Sequence, residues 1–228
     1  MTANKLPKAL RKAWFLFAVF LLPAILCLLF YYFFIRQPLI IEAKASLYKT
    51  LPYYGPKMIS DKEDTTYNAV KEIDLINLEG NSFSTSSLKS KVLIVNFFTL
   101  QNIDNSNKMA ASLFRAQDKL EYLKNFTMLS INLTPEKDNL KSLAETSKKV
   151  HTRPKTWNFY TGKQSEIEHW ARINFGIRKG ELDSLTYTNL YLVDLNRNVR
   201  GIYDGTKTTE VNRMLDEVKV LNQLYRIK

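Results

Sequence analysis

Residues 92–98 read VLIVNFF, and residues 126–133 read FTMLSINL. Both are nearly continuous apolar runs, the signature of central strands covered on both faces. Between them Met109, Leu113, Ala116, Leu120 and Leu123 recur at steps of four and three, which predicts a helix with one inward stripe, capped at Ser106. Downstream, Thr134-Pro135-Glu136 predicts a second helix start, with Thr134 as cap, Pro135 at the first helical position, and Leu140 and Leu143 facing in. Thr156 to Tyr160 reads as a short strand and Ile167 to Phe175 as a helix. LYLVDL at 190–195 and NVRGIY at 198–203, joined by Asn196-Arg197, read as a hairpin. Thr208 to Tyr225 then carries Val211, Met214, Leu215, Val218, Leu221 and Tyr225 along one helical stripe. Upstream, EIDLINL at 72–78 alternates in part and ends at the Glu79-Gly80-Asn81 turn, predicting the leading strand. The order β, βα, βα, βα, ββ, α implies one α/β domain over 69–228, a mixed sheet flanked by helices on both faces.

The beginning of the chain is of another kind. Trp14 to Ile35 (WFLFAVFLLPAILCLLFYYFFI) runs for 22 residues without a charge. At about 1.5 Å per residue it reaches roughly 33 Å, enough for a hydrocarbon core of about 30 Å. Trp14 and Tyr31-Tyr32 suit the two interfaces, and Pro23 is tolerated in lipid as a mild kink. Lys5, Lys8, Arg11 and Lys12 precede the span and only Arg36 follows it closely. The positive-inside rule therefore makes 1–13 a cytoplasmic basic N-terminus and 14–35 a single transmembrane helix serving as signal-anchor in the cytoplasmic (inner) membrane. Residues 36–68 become a tether and lead-in loop carrying LPYYGPK at 51–57, and the domain lies on the periplasmic, extracytoplasmic side. Cleavage after Ala43-Lys44-Ala45 is the competing reading, set against an apolar block longer than a secretory h-region.

Lys and Arg outnumber Asp and Glu by 33 to 22, but past residue 36 the balance is 28 to 22, too even for a dedicated nucleic-acid binder. The single cysteine, Cys27, lies in the apolar block. A disulfide framework, a cysteine zinc site and a thiol nucleophile beyond Arg36 are therefore excluded by counting.

The strand order and several segments resemble the SCO/SenC family, membrane-tethered thioredoxin-like proteins that bind copper and help assemble cytochrome c oxidase. The resemblance covers roughly 51–224. It is carried by LPYYG at 51–55, LINLEG at 75–80, LKSKVLIVNFFT at 88–99, INLTPEKDNLKSL at 131–143, WNFYTG at 157–162 and, most closely, YLVDLNRNVRGIYDG at 191–205. The resemblance implies a C-x-x-x-C loop after the FFT strand and a His before the late strand, which together bind copper in the family. Here the loop reads LQNIDNSNKM. The second Cys position falls on Ser106, the first on Asn102 or Gln101, and the His position on Thr186 or Tyr187. The family's DPE-like motif has Thr134 in place of its Asp, followed by Pro135, Glu136 and Asp138.

Cuprous copper prefers thiolate and thioether donors, with imidazole a workable partner. Hydroxyl and amide groups do not replace two thiolates, and a serine cannot carry thiol–disulfide exchange. Elsewhere, Met109, Met128 and Met214 sit on apolar faces as core residues; Met58, His151 and His169 form no recognisable ligand spacing. Ser106 lacks a G-x-S-x-G setting, and Asp194 and Asp204 read as hairpin and turn residues. Asn125 and Asn132 match the glycosylation pattern but overlap a buried strand. Lys141, Lys148 and Lys149, Arg172 to Lys179, and Arg213 to Lys219 place basic groups on solvent faces, read as ordinary solvation or as contacts for acidic partners or anionic headgroups.

The sequence thus predicts no enzyme and assigns no catalytic, cofactor-binding or metal residue. It predicts a membrane-anchored protein with a lost copper and redox centre, acting as a non-catalytic accessory or assembly factor. Its expected partners are the bilayer, through 14–35, and a membrane protein or envelope complex such as a cytochrome oxidase subunit. The alternatives are a copper chaperone using atypical ligands and a structural protein unrelated to respiration.

Overall fold

A computed structural model describes residues 17–36, 51–59, 65–100, 103–136, 138–178 and 187–224. The chain divides into two compact units, Met1–Lys49 and Thr50–Lys228. In the first, α1 (Leu22–Phe30) is flanked by π-helical turns at Phe17–Leu21 and Tyr31–Arg36. Pro23 falls in the first turn of α1, directly after the π-helical turn Phe17–Leu21. By length and composition, Val19–Arg36 is long and apolar enough to cross a membrane.

The second unit opens with a two-stranded antiparallel ribbon, β1 (Lys57–Ile59) and β2 (Thr65–Tyr67), inside the segment expected to be a lead-in loop. The main sheet holds β3 (Asp74–Asn77), β4 (Ser82–Ser84), β5 (Val92–Phe98), β6 (Phe126–Asn132), β7 (Trp157–Thr161), β8 (Asn189–Val193) and β9 (Val199–Asp204). Their order is β4-β3-β7-β6-β5-β8-β9. The middle strands β7, β6 and β5 are parallel, and β3, β8 and β9 join antiparallel. This is the thioredoxin-like mixed sheet that the strand order predicts. Strand β4, which pairs Phe83 with Leu75, is additional.

Among the described residues of this unit the α-helices are, in chain order, α2 (Ile103–Leu120), α3 (Leu140–Lys149), α4 (Gln164–Phe175) and α5 (Thr208–Leu224). Alternation along β5 sends Leu93, Val95 and Phe97 to one face, where they join Leu129, Ile131, Trp170, Phe175 and Tyr191 in one apolar cluster. Helix α4 supplies Ile167, Trp170, Ala171 and Phe175 to that face, and ends on Gly176 in the left-handed conformation, whose N–H bonds to Arg172 O at 3.1 Å. The other face is covered by α2, α3 and α5: α2 packs on α5, α5 on β5 and β9, and α3 on β7. Met109, Leu113, Ala116, Leu120 and Leu123 are all buried, as the spacing predicts.

Two helix starts differ from the expectation. Helix α2 begins at Ile103, so Ser106 stands inside it instead of capping it. Helix α3 begins at Leu140, capped by Asn139, whose side chain accepts from Ser142 N at 2.9 Å. Thr134 and Asp138 instead close a turn, with Asp138 N bonded to Thr134 O at 2.9 Å. Asn139 caps α3, while the Thr134 hydroxyl donates to Asp138, as described next.

Candidate functional site

The loop expected to carry the chemistry follows β5, so the site is built where the parallel strands β5 and β6 end. The ladder continues one step past them through Leu133 N to Phe98 O at 2.9 Å. That register sets Thr99 and Thr134 side by side, with their hydroxyl oxygens 2.9 Å apart. Thr134 Oγ1 lies 2.5 Å from Asp138 Oδ2 and 3.3 Å from Asn132 Oδ1. Thr134 has one proton, which the closer carboxylate takes, so Thr99 is the donor to Thr134. Asp138, buried, also accepts from Leu100 N at 3.3 Å, and Asn132 Oδ1 accepts from Thr134 N at 3.0 Å. Asn132 Nδ2 is buried with no partner among the described residues. The result is a compact all-oxygen acceptor cluster with one carboxylate, already satisfied from within the protein.

Tyr187 lies at the other candidate position. Its phenol hydrogen-bonds the Tyr191 hydroxyl, and its ring meets Phe97 edge-on at 6.4 Å. Tyr191 in turn packs on Phe175 at 4.7 Å, so this position leads into the apolar cluster. Gln101, Asn102 and Thr186 lie outside the described residues, as do Trp14, the Ala43–Ala45 segment, Lys179 and Tyr225 and the side chains of Met58 and Ser106.

The remaining candidates disperse. Met109, Met128 and Met214 are core residues. His151 is exposed in a left-handed turn after α3, while His169 is exposed on α4, 3.2 Å from Arg172. Asp194 is fully buried and pairs with Arg200 at 3.0 Å; it also accepts from Asn196 N and Asn198 N, which holds the β8–β9 turn and its left-handed Arg197. Asp204 closes an Asx turn onto Thr206. Asn125 is exposed at the start of β6 and Asn132 is buried at its end. On α5, Arg213 pairs with Glu210 at 2.6 Å and Lys219 with Asp216 at 3.0 Å, so these two cations are already partnered. Among the described residues, no three His, Cys, Asp or Glu side chains are grouped to hold a metal.

The SCO1/SenC family pattern matches residues 61–222. The chain belongs to the SCO1/SenC family. Among proteins of curated function, none matches it in sequence. Among solved structures it is similar to BsSco, a member of the Sco family of cytochrome c oxidase assembly proteins described for a disulfide switch. The two share 27% identity over 68% of this chain and 94% of that one, with a TM-score of 0.58. The soluble domain of Sco1 from Bacillus subtilis gives 26% identity over 68% and 93%, with a TM-score of 0.54. Yeast Sco1 with copper bound, at 20% identity over 68% and 94% and a TM-score of 0.53, shares the fold.

Within this family the site is atypical: it lacks the cysteine pair, because the only thiol in the chain is Cys27. The donors present do not fit copper as the family holds it. Asn102, Ser106, Thr186 and Tyr187 offer hard or neutral oxygen and amide groups, and the Tyr187 hydroxyl is committed to Tyr191. Sequence reasoning missed Thr99, whose contact with Thr134 depends on cross-strand register, and read Asn132 only as a glycosylation pattern, not as the acceptor for Thr134 two residues on. It also missed Asn96, whose signal was present: it is the one polar residue in VLIVNFF.

Proposed function

We propose that this SCO1/SenC protein is a membrane-anchored accessory or assembly factor for a respiratory or envelope complex, working by binding and without a copper or thiol redox centre. The observation that carries this reading is the donor count: family membership over most of the chain, with no cysteine after Cys27. The candidate span Val19–Arg36 and the basic residues before it support an anchor at 14–35, with 1–13 in the cytoplasm and 69–228 outside, joined by the tether at 36–68. Similarity to BsSco, from a family of cytochrome c oxidase assembly proteins, supports a cytochrome oxidase subunit as the partner.

The test is made on the full-length protein purified from membranes. Titration with Cu(I) against a competing chelator is expected to leave no stoichiometric metal on the chain. Pull-down from solubilised membranes is expected to retain oxidase subunits. One Cu(I) held per chain against the chelator overturns the copper-free reading, and an oxidase-free retained complex overturns the choice of partner.

A further inference from the structure

Asn96 points to the face of the sheet opposite Phe97. It is 3% exposed in a strand whose other residues are all apolar, a placement that costs free energy unless its polar atoms are used. On that face a cavity of about 60 Å³ lies between β5, β6 and β7 and the helices α2 and α3. Its walls include Phe98, Met109, Leu113, Trp157 and Phe159, and among the described residues no charged side chain lines it. The exposed Asn107 and the half-buried Thr146 and Val150 form its rim.

A directed hydrogen-bond chain runs beneath it. Trp157 Nε1 donates to Ser130 Oγ at 2.8 Å, and Ser130 Oγ donates to Asn96 Oδ1 at 2.6 Å. An indole can only donate, so the serine accepts from it and passes its own proton onward, which fixes the Asn96 amide with its oxygen toward Ser130. The Nδ2 end, with two N–H donors, has no partner among the described residues and belongs to the cavity lining.

We propose that this cavity binds a compact, neutral, largely apolar molecule bearing one carbonyl oxygen, recognised by Asn96 Nδ2. The room corresponds to roughly four waters, hence to a molecule of only a few heavy atoms. Uncharged aromatic and aliphatic walls disfavour ions, because a charge there loses its hydration without a counter-charge. A buried donor pair gains most from an acceptor that brings its own apolar body to fill the space around it. The proposal is independent of the copper-free reading, since none of these groups stands at a position where the family carries a metal ligand.

The probe is 2-butanone, titrated into full-length protein in detergent micelles while the Asn96 side-chain amide and Trp157 indole N–H signals are followed by NMR. Saturable shifts of both signals are expected. In Asn96→Leu, which keeps the volume and removes the donor, the Trp157 response is expected to weaken about tenfold, the worth of one such hydrogen bond. Asn96 signals that stay put, or drift linearly without saturation, overturn the proposal. So do Asn96 contacts to water that persist unchanged at high butanone, and an Asn96→Leu variant that binds as tightly as the parent. The parent titration decides the matter even if the variant does not fold.

Discussion

Replacing Arg200 by methionine removes the cation from an ion pair whose side chains are 6% and 0% exposed. Arg200 Nη1 lies 3.0 Å from Asp194 Oδ2, and Nη2 donates to Leu51 O at 2.6 Å. Its guanidinium also sits 4.3 Å from the centre of the Tyr53 ring. Breaking a buried pair by removing one partner costs about 3–5 kcal/mol, because the remaining charge is left uncompensated. Two terms pull this toward the lower end. Asp194 keeps the backbone donors of Asn196 and Asn198, and the substitution also removes Arg200 Nε, a buried donor with no partner among the described residues. Loss of the bond to Leu51 adds about 1 kcal/mol and frees the segment that leads into the domain. We therefore expect Arg200→Met to cost about 3 kcal/mol. The assay is urea unfolding of the full-length protein in mild detergent, followed by tryptophan fluorescence, with limited proteolysis reporting on residues 51–56. The double variant Asp194→Asn/Arg200→Met is expected to be more stable than the two single costs would sum to. A loss below about 1 kcal/mol, or single costs that add within about 0.5 kcal/mol, would refute the buried-pair argument.

Phe97 is fully buried and meets Trp170, Phe175, Tyr187 and Tyr191 with ring centroids 5.6 to 6.4 Å away; Phe97→Ala is expected to cost about 3–5 kcal/mol in the same unfolding assay. Gly201 faces the Tyr203 phenol so closely that a Cβ would overlap it, so Gly201→Ala is expected to displace Tyr203 and cost about 1–3 kcal/mol, read as a lowered urea midpoint. Burial raises the Glu217 pKa above its ordinary 4.5, only partly offset by the hydrogen bond from Tyr203 and by Arg213. Between 4.5 and the raised value the folded state binds more protons than the unfolded, so this group's contribution to stability falls as pH rises through that window. Glu217→Gln is expected to flatten that slope and raise stability at neutral pH while still accepting from Tyr203; an unchanged pH profile would contradict it.

The middle of the fold was legible because β5, β6 and β8 are largely apolar runs, because Asn196-Arg197 marks the turn into β9, and because α2 and α5 keep one apolar stripe. The three-residue strands β1, β2 and β4 were not, since so short a segment carries no period; β4 reads SFS with a half-exposed pattern. At Thr134-Pro135-Glu136 the capping pattern lost to Asn139, five residues on: the Thr134 oxygen lies against Thr99 across the strand ends and its proton goes to Asp138, itself held by Leu100 N. The missing thiolates could be read by counting. That Asn96 would turn its oxygen to Ser130 depends on a partner 34 residues along the chain, which no local pattern encodes. The Tyr187–Tyr191 bond spans only four residues, but it forms where both rings are seated against Phe97.

These contacts bear on why the domain can stand without metal ligands. A metal site folds a protein when its ligands have no other way to be satisfied, so that removing the ion leaves like charges or orphaned donors behind. Here the acceptor cluster beside the atypical loop is closed by its own donors: Thr99 serves Thr134, Thr134 serves Asp138, and Leu100 N serves the same carboxylate. The Tyr187 phenol is bonded to Tyr191 and seated against Phe97. Neither group needs an ion to balance it, and the apolar cluster behind Tyr187 is continuous with the core made by β5, β6 and α4. Stability therefore resides in the sheet and its two helical layers, not in the site. Chelator is accordingly expected to leave the unfolding midpoint of this protein unchanged, since a group that is satisfied within the fold gives metal binding no folding free energy to supply.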